Sequence, residues 1–331
     1  FTVSADITKA FQSLGICGVE ASLLRMGIPE DVMELWMQSD RGEWFQGQRA
    51  DGLWEASYGT CQVITGSAGL SPSFETETGL RQGSRCAPTK YSAWMDILWC
   101  WLDAEEVQGL SLPSSSLHDS INIPVLGFCD DIWAGSETFE GLQRIVSLVD
   151  SFLAAYGVDL NPSKSMYAKI NSKDARAIVI YREQNGSRIA VPLQEVAATQ
   201  GYRYLGIMLQ PDGGWQSMAA TVMCKIRAWT RQISKAQIPV DQAVMVLRSV
   251  VGGLLNYVLT AAPLSNALME KIDKLTAAAI FSCAGLARGR RTAWAFRSAA
   301  TGGFGATSAV ILRRAIIIEK VATWLNAHSP I

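Results

Sequence analysis

Two adjacent acids interrupt an otherwise apolar stretch near the middle of the chain. Residues 121–129, INIPVLGFC, are rich in β-branched side chains, and IWAGS resumes the apolar character at residues 132–136. This pattern predicts two buried strands that form a β-hairpin with Asp130 and Asp131 at or near its tip. Because a buried unpaired carboxylate is unstable and two adjacent ones repel each other, these acids need a chemical partner.

The residues that follow the hairpin have the period of an amphipathic helix. Apolar positions recur at helical spacing from Leu142 to Tyr156, and Ser136 or Thr138 can cap the start while Gly157 suits the end. A strand hairpin followed by such a helix predicts an α+β fold, in which helices cover one face of an antiparallel sheet.

The chain upstream and directly downstream alternates further strands and helices. We predict a strand over TVSAD that ends at Asp6, two short helices separated at Pro29, and a helix with Pro88 near its start. Strands are also expected at GTCQVIT and SFETETG, and a hairpin is expected at Asn185-Gly186.

The strand signals end at about residue 210. The segments that begin at residues 214, 240, 266 and 308 all favour helix. We therefore predict a boundary near Pro211–Gly214, with a mixed domain over residues 1–210 and an all-helical domain over residues 211–331.

Composition narrows the class of protein. The chain has 331 residues and 49% hydrophobic content, enough for substantial cores. Its seven cysteines are scattered without a C-x-x-C pair and there are only two histidines, so the sequence does not favour a disulfide scaffold or a zinc module, and a reducing compartment is expected. No apolar run of membrane-spanning length is recognised, so a soluble protein is expected. The start at Phe1, without a signal-like segment, suggests a fragment.

Charge divides the chain into two unlike halves. Through residue 163 there are 8 Lys and Arg against 22 Asp and Glu, a net charge of −14. From residue 164 onward there are 21 against 8, a net charge of +13. The acidic half could hold cations, and the basic half could hold an anion.

Adjacent carboxylates at a hairpin tip suit divalent cations when a third carboxylate lies nearby. Two Mg²⁺ ions about 3.5–4 Å apart can activate an attacking hydroxyl and stabilise a leaving pyrophosphate. Asp6 is the candidate for the third acid, because its strand can end beside the hairpin. A shared ion predicts an Asp6 carboxylate about 4–6 Å from that of Asp130.

Five short blocks extend the pattern, and they occur in a fixed order: DITKAF (6–11), GLRQGSRCAP (79–88), FCDD (128–131), GVDLNPSKS (157–165) and YRYLGI (202–207). Together they resemble the reverse transcriptases of non-LTR (LINE-like) retrotransposons. LNYVLTAAPLSNALMEKIDKL and GGFG (302–305) resemble the thumb of that family, so the resemblance covers nearly the whole chain. It implies a polymerase palm over residues 1–210, with the fingers mostly missing, and a nucleic-acid-binding helical thumb over residues 211–331.

The resemblance implies an RNA-directed DNA polymerase that transfers nucleotides to a primer 3′-hydroxyl. Asp6, Asp130 and Asp131 would bind two Mg²⁺ ions, with Mn²⁺ as an alternative. Lys164 would be catalytic near the incoming triphosphate, and Phe11 would act as a steric gate against the ribose 2′-hydroxyl.

Other blocks would contact the dNTP and the template–primer. The resemblance implies that Gln82 and Gly83 shape the base-pair pocket and that Phe128 belongs to the catalytic hairpin. The resemblance also implies that a second hairpin, at Tyr204, Leu205 and Gly206, binds the primer end.

The basic half falls on the expected thumb, where Lys and Arg would bind template–primer phosphates. ARGRRTAWAFR is the best single candidate, with Arg288, Arg290, Arg291 and Arg297. The expected partners are an RNA template, a DNA primer and dNTPs, without a membrane. The resemblance places such a protein in the nucleus or cytoplasm of a eukaryotic host, and the oligomeric state stays open.

Three alternatives remain at the level of sequence. An RNA-directed RNA polymerase shares the palm, although a bulky residue at Phe11 argues against it. A catalytically inactive or domesticated remnant could bind nucleic acid without chemistry. An ordinary α+β protein could carry the same acids as solvated turn residues.

Overall fold

The computed structural model describes residues 1–41, 44–48, 54–57, 64–65, 69–70, 79–80, 85–113, 120–184, 187–287 and 290–327. The chain divides into two compact units, Phe1–Ala198 and Thr199–Ile331. This division lies before residue 210, so the hairpin that contains Tyr204–Gly206 belongs to the second unit.

The first unit mixes helices with strands, as the sequence pattern predicts. Its helices are α1 (Ala10–Ser13), α2 (Ile16–Arg25), α3 (Glu30–Arg41), α4 (Ala87–Ala104) and α5 (Phe139–Ala155). Its strands are β1 (Thr2–Asp6), β2 (Trp44–Gln48), β3 (Trp54–Ser57), β4 (Ile64–Thr65), β5 (Gly69–Leu70), β6 (Leu110–Pro113), β7 (Ser120–Ile123), β8 (Val125–Phe128), β9 (Asp131–Gly135), β10 (Met166–Ala168), β11 (Val179–Gln184), β12 (Ser187–Pro192) and β13 (Gln194–Val196).

A five-stranded sheet in the order β13-β10-β1-β9-β8 organises this unit. Its pairs are antiparallel except for the edge pair β10–β13, which is parallel. The predicted hairpin around the two acids is present as β8 and β9, and it ends upstream at Pro124, which separates it from the β6–β7 pair.

Helices cover one face of the sheet, as predicted. Alternate side chains along each strand point to opposite faces, and the apolar set on one face packs against the helices. Val3 and Ala5 of β1 and Ile132 of β9 are buried and line a small void together with Ile145 of α5. Gly127 of β8 lies on the same face, and a Cβ atom there would come within 2.3 Å of the Trp99 ring of α4. A side chain at residue 127 would therefore force the Trp99 ring to move.

The helix boundaries follow the signals in the sequence. Pro29 precedes α3, Pro88 lies in the first turn of α4, and Thr138 caps α5 by accepting a hydrogen bond from the Gly141 backbone N–H. The predicted hairpin at residues 185–186 is present as β11 and β12, with Gln184 opposite Ser187. The predicted strand SFETETG lies almost entirely outside the described residues.

The second unit is helical after one hairpin. The hairpin consists of β14 (Tyr202–Tyr204) and β15 (Ile207–Leu209). The helices are α6 (Gln216–Ala236), α7 (Val240–Leu247), α8 (Gly253–Ala261), α9 (Asn266–Cys283), α10 (Ala293–Phe296) and α11 (Ala309–Ala327), with a π-helical turn (Arg248–Gly252) and a 3₁₀ turn (Ala299–Thr301). The prediction of an α+β region followed by a helical one is confirmed.

One helical stretch of the second unit, Val240–Ala261, is long and apolar enough to cross a membrane by length and composition. Leu247, Val251 and Leu255 within it are buried in the apolar core of this unit. The core helix of a soluble protein passes the same test of length and composition, so this stretch is weak evidence for a membrane span.

Candidate active site

Asp6 and Asp131 lie directly opposite each other at the end of two neighbouring strands. The register of β1 and β9 pairs Thr2 with Gly135 and continues to the pair Asp6–Asp131. Residues opposite each other in an antiparallel pair point to the same face, with Cβ atoms about 4.5–5.5 Å apart. Because Ala5 and Ile132 point toward the helices, Asp6 and Asp131 point to the face of the sheet that α5 does not cover.

The turn between β8 and β9 holds Asp130, the other of the two adjacent acids. Cys129 and Asp130 connect Phe128 to its register partner Asp131, and Cys129 adopts a left-handed conformation with φ of 52°. Burial, followed by the carboxylates of Asp130 and Asp131, raises the pKa of the Cys129 thiol. Phe128 is 64% exposed, so its ring is available for contact with a ligand.

Lys164 approaches the same site from the loop after α5. Its Nζ lies 3.8 Å from Oδ2 of Asp6, and its side chain is 68% exposed. Two contacts fix this loop to the end of β1: the Asn161 N–H donates to the Asp6 carbonyl at 2.7 Å, and the Asp6 N–H donates to the Ser165 hydroxyl at 3.0 Å. Asn161 also orders the turn, since its Oδ1 accepts from both the N–H and the hydroxyl of Ser163.

An ion pair supports this loop, and the sequence analysis did not predict it. Arg182 of β11 donates to Oδ1 of Asp150 at 2.8 Å and to the Leu160 carbonyl at 2.6 Å, next to Asn161. The two side chains are only 24% and 11% exposed. The sequence does contain a signal, because Asp150 follows Val149 within the apolar stripe of α5, where an acid needs a partner.

Phe11 lies against the buried Tyr91 of α4. Their ring centroids are 4.7 Å apart, and Tyr91 is fully buried. Its hydroxyl has no hydrogen-bond partner in the part of the chain that the structure describes. Burial, and secondarily the Asp130 carboxylate and Cys129, raise the pKa of Tyr91, so the hydroxyl stays protonated.

Gln82 and Gly83 lie outside the described residues, but the chain just before them is held beside α1. The Leu80 N–H donates to the Phe11 carbonyl at 2.6 Å, and the Gly79 N–H donates to the Leu14 carbonyl at 2.8 Å. Gly79 has a φ of 97°, a conformation that favours glycine.

Tyr204, Leu205 and Gly206 belong to the second unit, where they form the end of the β14–β15 hairpin. Leu205 and Gly206 both have positive φ, 45° and 78°, as expected for the two central residues of a type I′ turn. The Tyr257 hydroxyl of α8 donates to the Leu205 carbonyl and thereby fixes the turn to the helix.

The predicted arginine cluster is partly described. Arg290 lies over the Trp294 ring, with 5.2 Å from its guanidinium carbon to the ring centroid, and Arg291 and Arg297 are exposed. The Arg297 carbonyl accepts a hydrogen bond from the Gly305 N–H, which ties the GGFG segment to this loop. Arg288 lies outside the described residues.

Carboxylate oxygens are the ligands that Mg²⁺ prefers, and the paired register of Asp6 and Asp131 fits one divalent ion held between two strands. Within the described ranges, no group of three or more His, Cys, Asp or Glu side chains is arranged to hold a metal ion. The structure therefore brings Asp6 together with Asp131 and Lys164, while Asp130 occupies the adjoining turn.

Comparison with known proteins gives three findings. A family model described as reverse transcriptase (RNA-dependent DNA polymerase) matches residues 1–209 of the chain. No curated protein matches it. The solved structures similar to the chain include telomerase from Candida albicans in complex with a TWJ fragment of telomeric RNA, at 9% sequence identity and a TM-score of 0.33 over 85% of this chain. The chain covers 44% of that telomerase chain.

Proposed function

The chain belongs to the reverse transcriptase (RNA-dependent DNA polymerase) family, and on that premise we propose that it is the polymerase part of a non-LTR retrotransposon reverse transcriptase. It would extend a DNA primer on an RNA template by adding dNTPs to the primer 3′-hydroxyl. The observation that carries the proposal is the pairing of Asp6 with Asp131 on the face of the sheet opposite α5, with Lys164 beside Asp6.

The two paired carboxylates are the groups that would hold a divalent cation, and Asp130 in the adjoining turn is the candidate ligand for a second one. Magnesium, when bound, would supply positive charge that favours attack by the primer hydroxyl and departure of pyrophosphate. The role of the protein is to hold Asp6 and Asp131 on two hydrogen-bonded strands, so that their backbones keep a fixed separation.

Lys164 would act on the triphosphate. Its ammonium group stands at the edge of the acidic pair and is mostly exposed, so it can turn toward a bound phosphate without breaking a buried contact. A cation in that place offsets charge that develops on the phosphate oxygens during the transfer. The backbone contacts of Asn161 and Ser165 to Asp6 keep the lysine loop attached to the acids.

Phe11 and Phe128 would select and position the substrates. The ring of Phe11 is backed by the buried ring of Tyr91, so it cannot retreat into the core when a ribose 2′-hydroxyl approaches. Phe128 lies on the same face as Asp131 and presents an exposed apolar surface beside the carboxylates. Together they would favour a deoxynucleotide at a primer end.

Primer extension tests this proposal. The full chain is incubated with a labelled DNA primer on an RNA template, dNTPs and Mg²⁺, in parallel with the variants Asp6→Asn, Asp131→Asn and Asp103→Asn. Asp103 is an exposed acid at the end of α4 and serves as the control of equal charge change. We expect template-dependent incorporation that falls at least about 100-fold in the first two variants and stays at the wild-type level in the third.

Three results would contradict the proposal. Incorporation that persists in Asp131→Asn would show that this carboxylate has no part in the chemistry. A preference for rNTPs over dNTPs would favour an RNA polymerase. Binding of the template–primer without any incorporation would favour a protein that binds nucleic acid without catalysis.

A further inference from the structure

Helix α11 is apolar on two opposite faces, and one of them packs against α8 and α9 of the second unit. On the packed face Ile316 is buried, and the Lys320 ammonium group donates to the Thr260 carbonyl of α8. The opposite face is exposed to solvent. It carries a set of apolar residues that we name the α11 seam: Ile311, Ala315, Ile318, Ala322 and Leu325. Because a helix that is apolar all round is normally buried, the seam indicates a second packing partner.

The α11 seam has the spacing of a coiled coil. Its residues are separated alternately by four and three positions, so they repeat every seven residues and lie within about 80° of the helix circumference. Ala315 and Ala322 take the a positions of the heptad, and the three larger residues take the d positions. Ile311, Ile318 and Leu325 are 64%, 69% and 55% exposed. Single exposed apolar residues are ordinary, but a continuous stripe about 21 Å long is typical of an interaction surface.

The charges beside the seam indicate which partner fits it. Arg314 and Glu319 flank the seam on opposite sides, at positions g and e, and both are exposed. Neither forms an ion pair with another residue that the structure describes. In a parallel pair of α11 helices, Arg314 of one copy lies beside Glu319 of the other, because the g residue faces the e residue five positions further along. In an antiparallel pair, like charges face each other instead.

We propose that the α11 seam is a dimerisation surface, at which α11 packs in parallel against α11 of a second copy of this chain. Each seam residue contacts its own equivalent, and the two-fold symmetry forms the Arg314–Glu319 pair twice. The two alanines let the helix axes approach closely, while the larger side chains interlock between them. This proposal concerns the oligomeric state, so it does not depend on polymerase activity.

Sedimentation velocity measures the dimerisation directly. The seam spans about two heptads, so the interface is at the small end of specific interfaces, and we expect a Kd on the order of 10 µM. The full chain is measured without nucleic acid or dNTPs at about 1–200 µM, a range that brackets this Kd. The seam variant is Ile318→Ser. The matched control is Ile317→Ser, since Ile317 is also exposed but lies about 100° round the helix and outside the seam.

We expect Ile318→Ser to raise the dimer Kd at least about tenfold, because each copy loses an apolar side chain at the centre of the interface. The control should change Kd less than about threefold, since its side chain lies away from the contact. Circular dichroism checks that both variants keep the helical content of the wild type, so that unfolding is excluded as the cause.

Reversal of charge tests the parallel arrangement. Arg314→Glu makes both interhelical pairs repulsive, so it should raise Kd about tenfold at low salt and less at high salt. The double variant Arg314→Glu/Glu319→Arg restores attraction and should return Kd to within about threefold of the wild type. An antiparallel pair would respond to neither change, because like charges face each other in all three proteins.

Four results would overturn the proposal. A wild-type chain that stays monomeric at the highest concentration would contradict dimerisation, and equal effects of Ile318→Ser and Ile317→Ser would place the contact elsewhere. An unchanged Kd in Arg314→Glu would contradict the parallel pairing. A monomeric chain that binds vesicles of phosphatidylcholine and phosphatidylserine, with binding lost in Ile318→Ser, would identify the seam as a membrane-contacting surface instead.

Discussion

Replacing Tyr91 by phenylalanine removes a single oxygen from the most buried part of the first unit, and the structure predicts that the protein becomes more stable. The Tyr91 ring is fully buried between Phe11 and Trp94, with centroid distances of 4.7 and 5.5 Å. Phenylalanine keeps both ring contacts. The only group lost is a hydroxyl that has no hydrogen-bond partner among the described residues.

The magnitude follows from the cost of burying a polar group. An unsatisfied buried hydroxyl destabilises a protein by about 1–3 kcal/mol, so Tyr91→Phe should raise the free energy of unfolding by about 1 kcal/mol. Tyr167→Phe is the matched control, because its hydroxyl donates to Glu195 at 2.9 Å. Losing that hydrogen bond should lower the free energy of unfolding by about 1 kcal/mol, a change of the opposite sign.

Urea unfolding followed by far-UV circular dichroism measures both changes under the same conditions. A Tyr91→Phe variant that is less stable than the wild type by 1 kcal/mol or more would refute the reasoning, because the hydroxyl would then have a partner. A second variant, Tyr91→Leu, tests the role of Tyr91 in nucleotide selection. It leaves a cavity beside Phe11, should cost about 2–4 kcal/mol, and should weaken discrimination against rNTPs in primer extension, whereas Tyr91→Phe should leave discrimination unchanged.

Two further predictions concern the loop beside Asp6 and the alkaline limit of stability. Arg182→Met leaves the partly buried Asp150 without its cation, so it should lower the free energy of unfolding by about 3 kcal/mol and reduce primer extension. A loss of less than about 1 kcal/mol in urea unfolding would show that the ion pair contributes little to stability. Burial and the hydrogen bond to Glu195 raise the pKa of Tyr167 to about 12 from 10.0. Its contribution to stability is therefore fully present below pH 10 and is lost as the pH rises toward 12, by up to about 3 kcal/mol. Urea midpoints between pH 9 and 11 should fall less steeply in Tyr167→Phe, and parallel curves would contradict the assigned pKa.

The sequence by itself determined the local elements and the identity of the acids. The alternation around residues 121–136 predicts the β8–β9 hairpin, and the helical period after Thr138 predicts α5, because both depend on contacts between residues close in the chain. The order of the five blocks was enough to suggest the family. The end of TVSAD was also identified as the strand that carries Asp6 beside the hairpin.

Tertiary structure alone decided which groups meet. The sequence predicted that Asp6 converges with Asp130 and Asp131, but it did not decide which acid faces Asp6. The strand register places Asp131 opposite Asp6 and Asp130 in the adjoining turn. A register shift of one residue reverses the face of every side chain, and packing of the whole sheet against α5 sets that register. The Arg182–Asp150 pair depends in the same way on two elements distant in sequence, whose packing is governed by the fit of nonlocal surfaces rather than by local pattern.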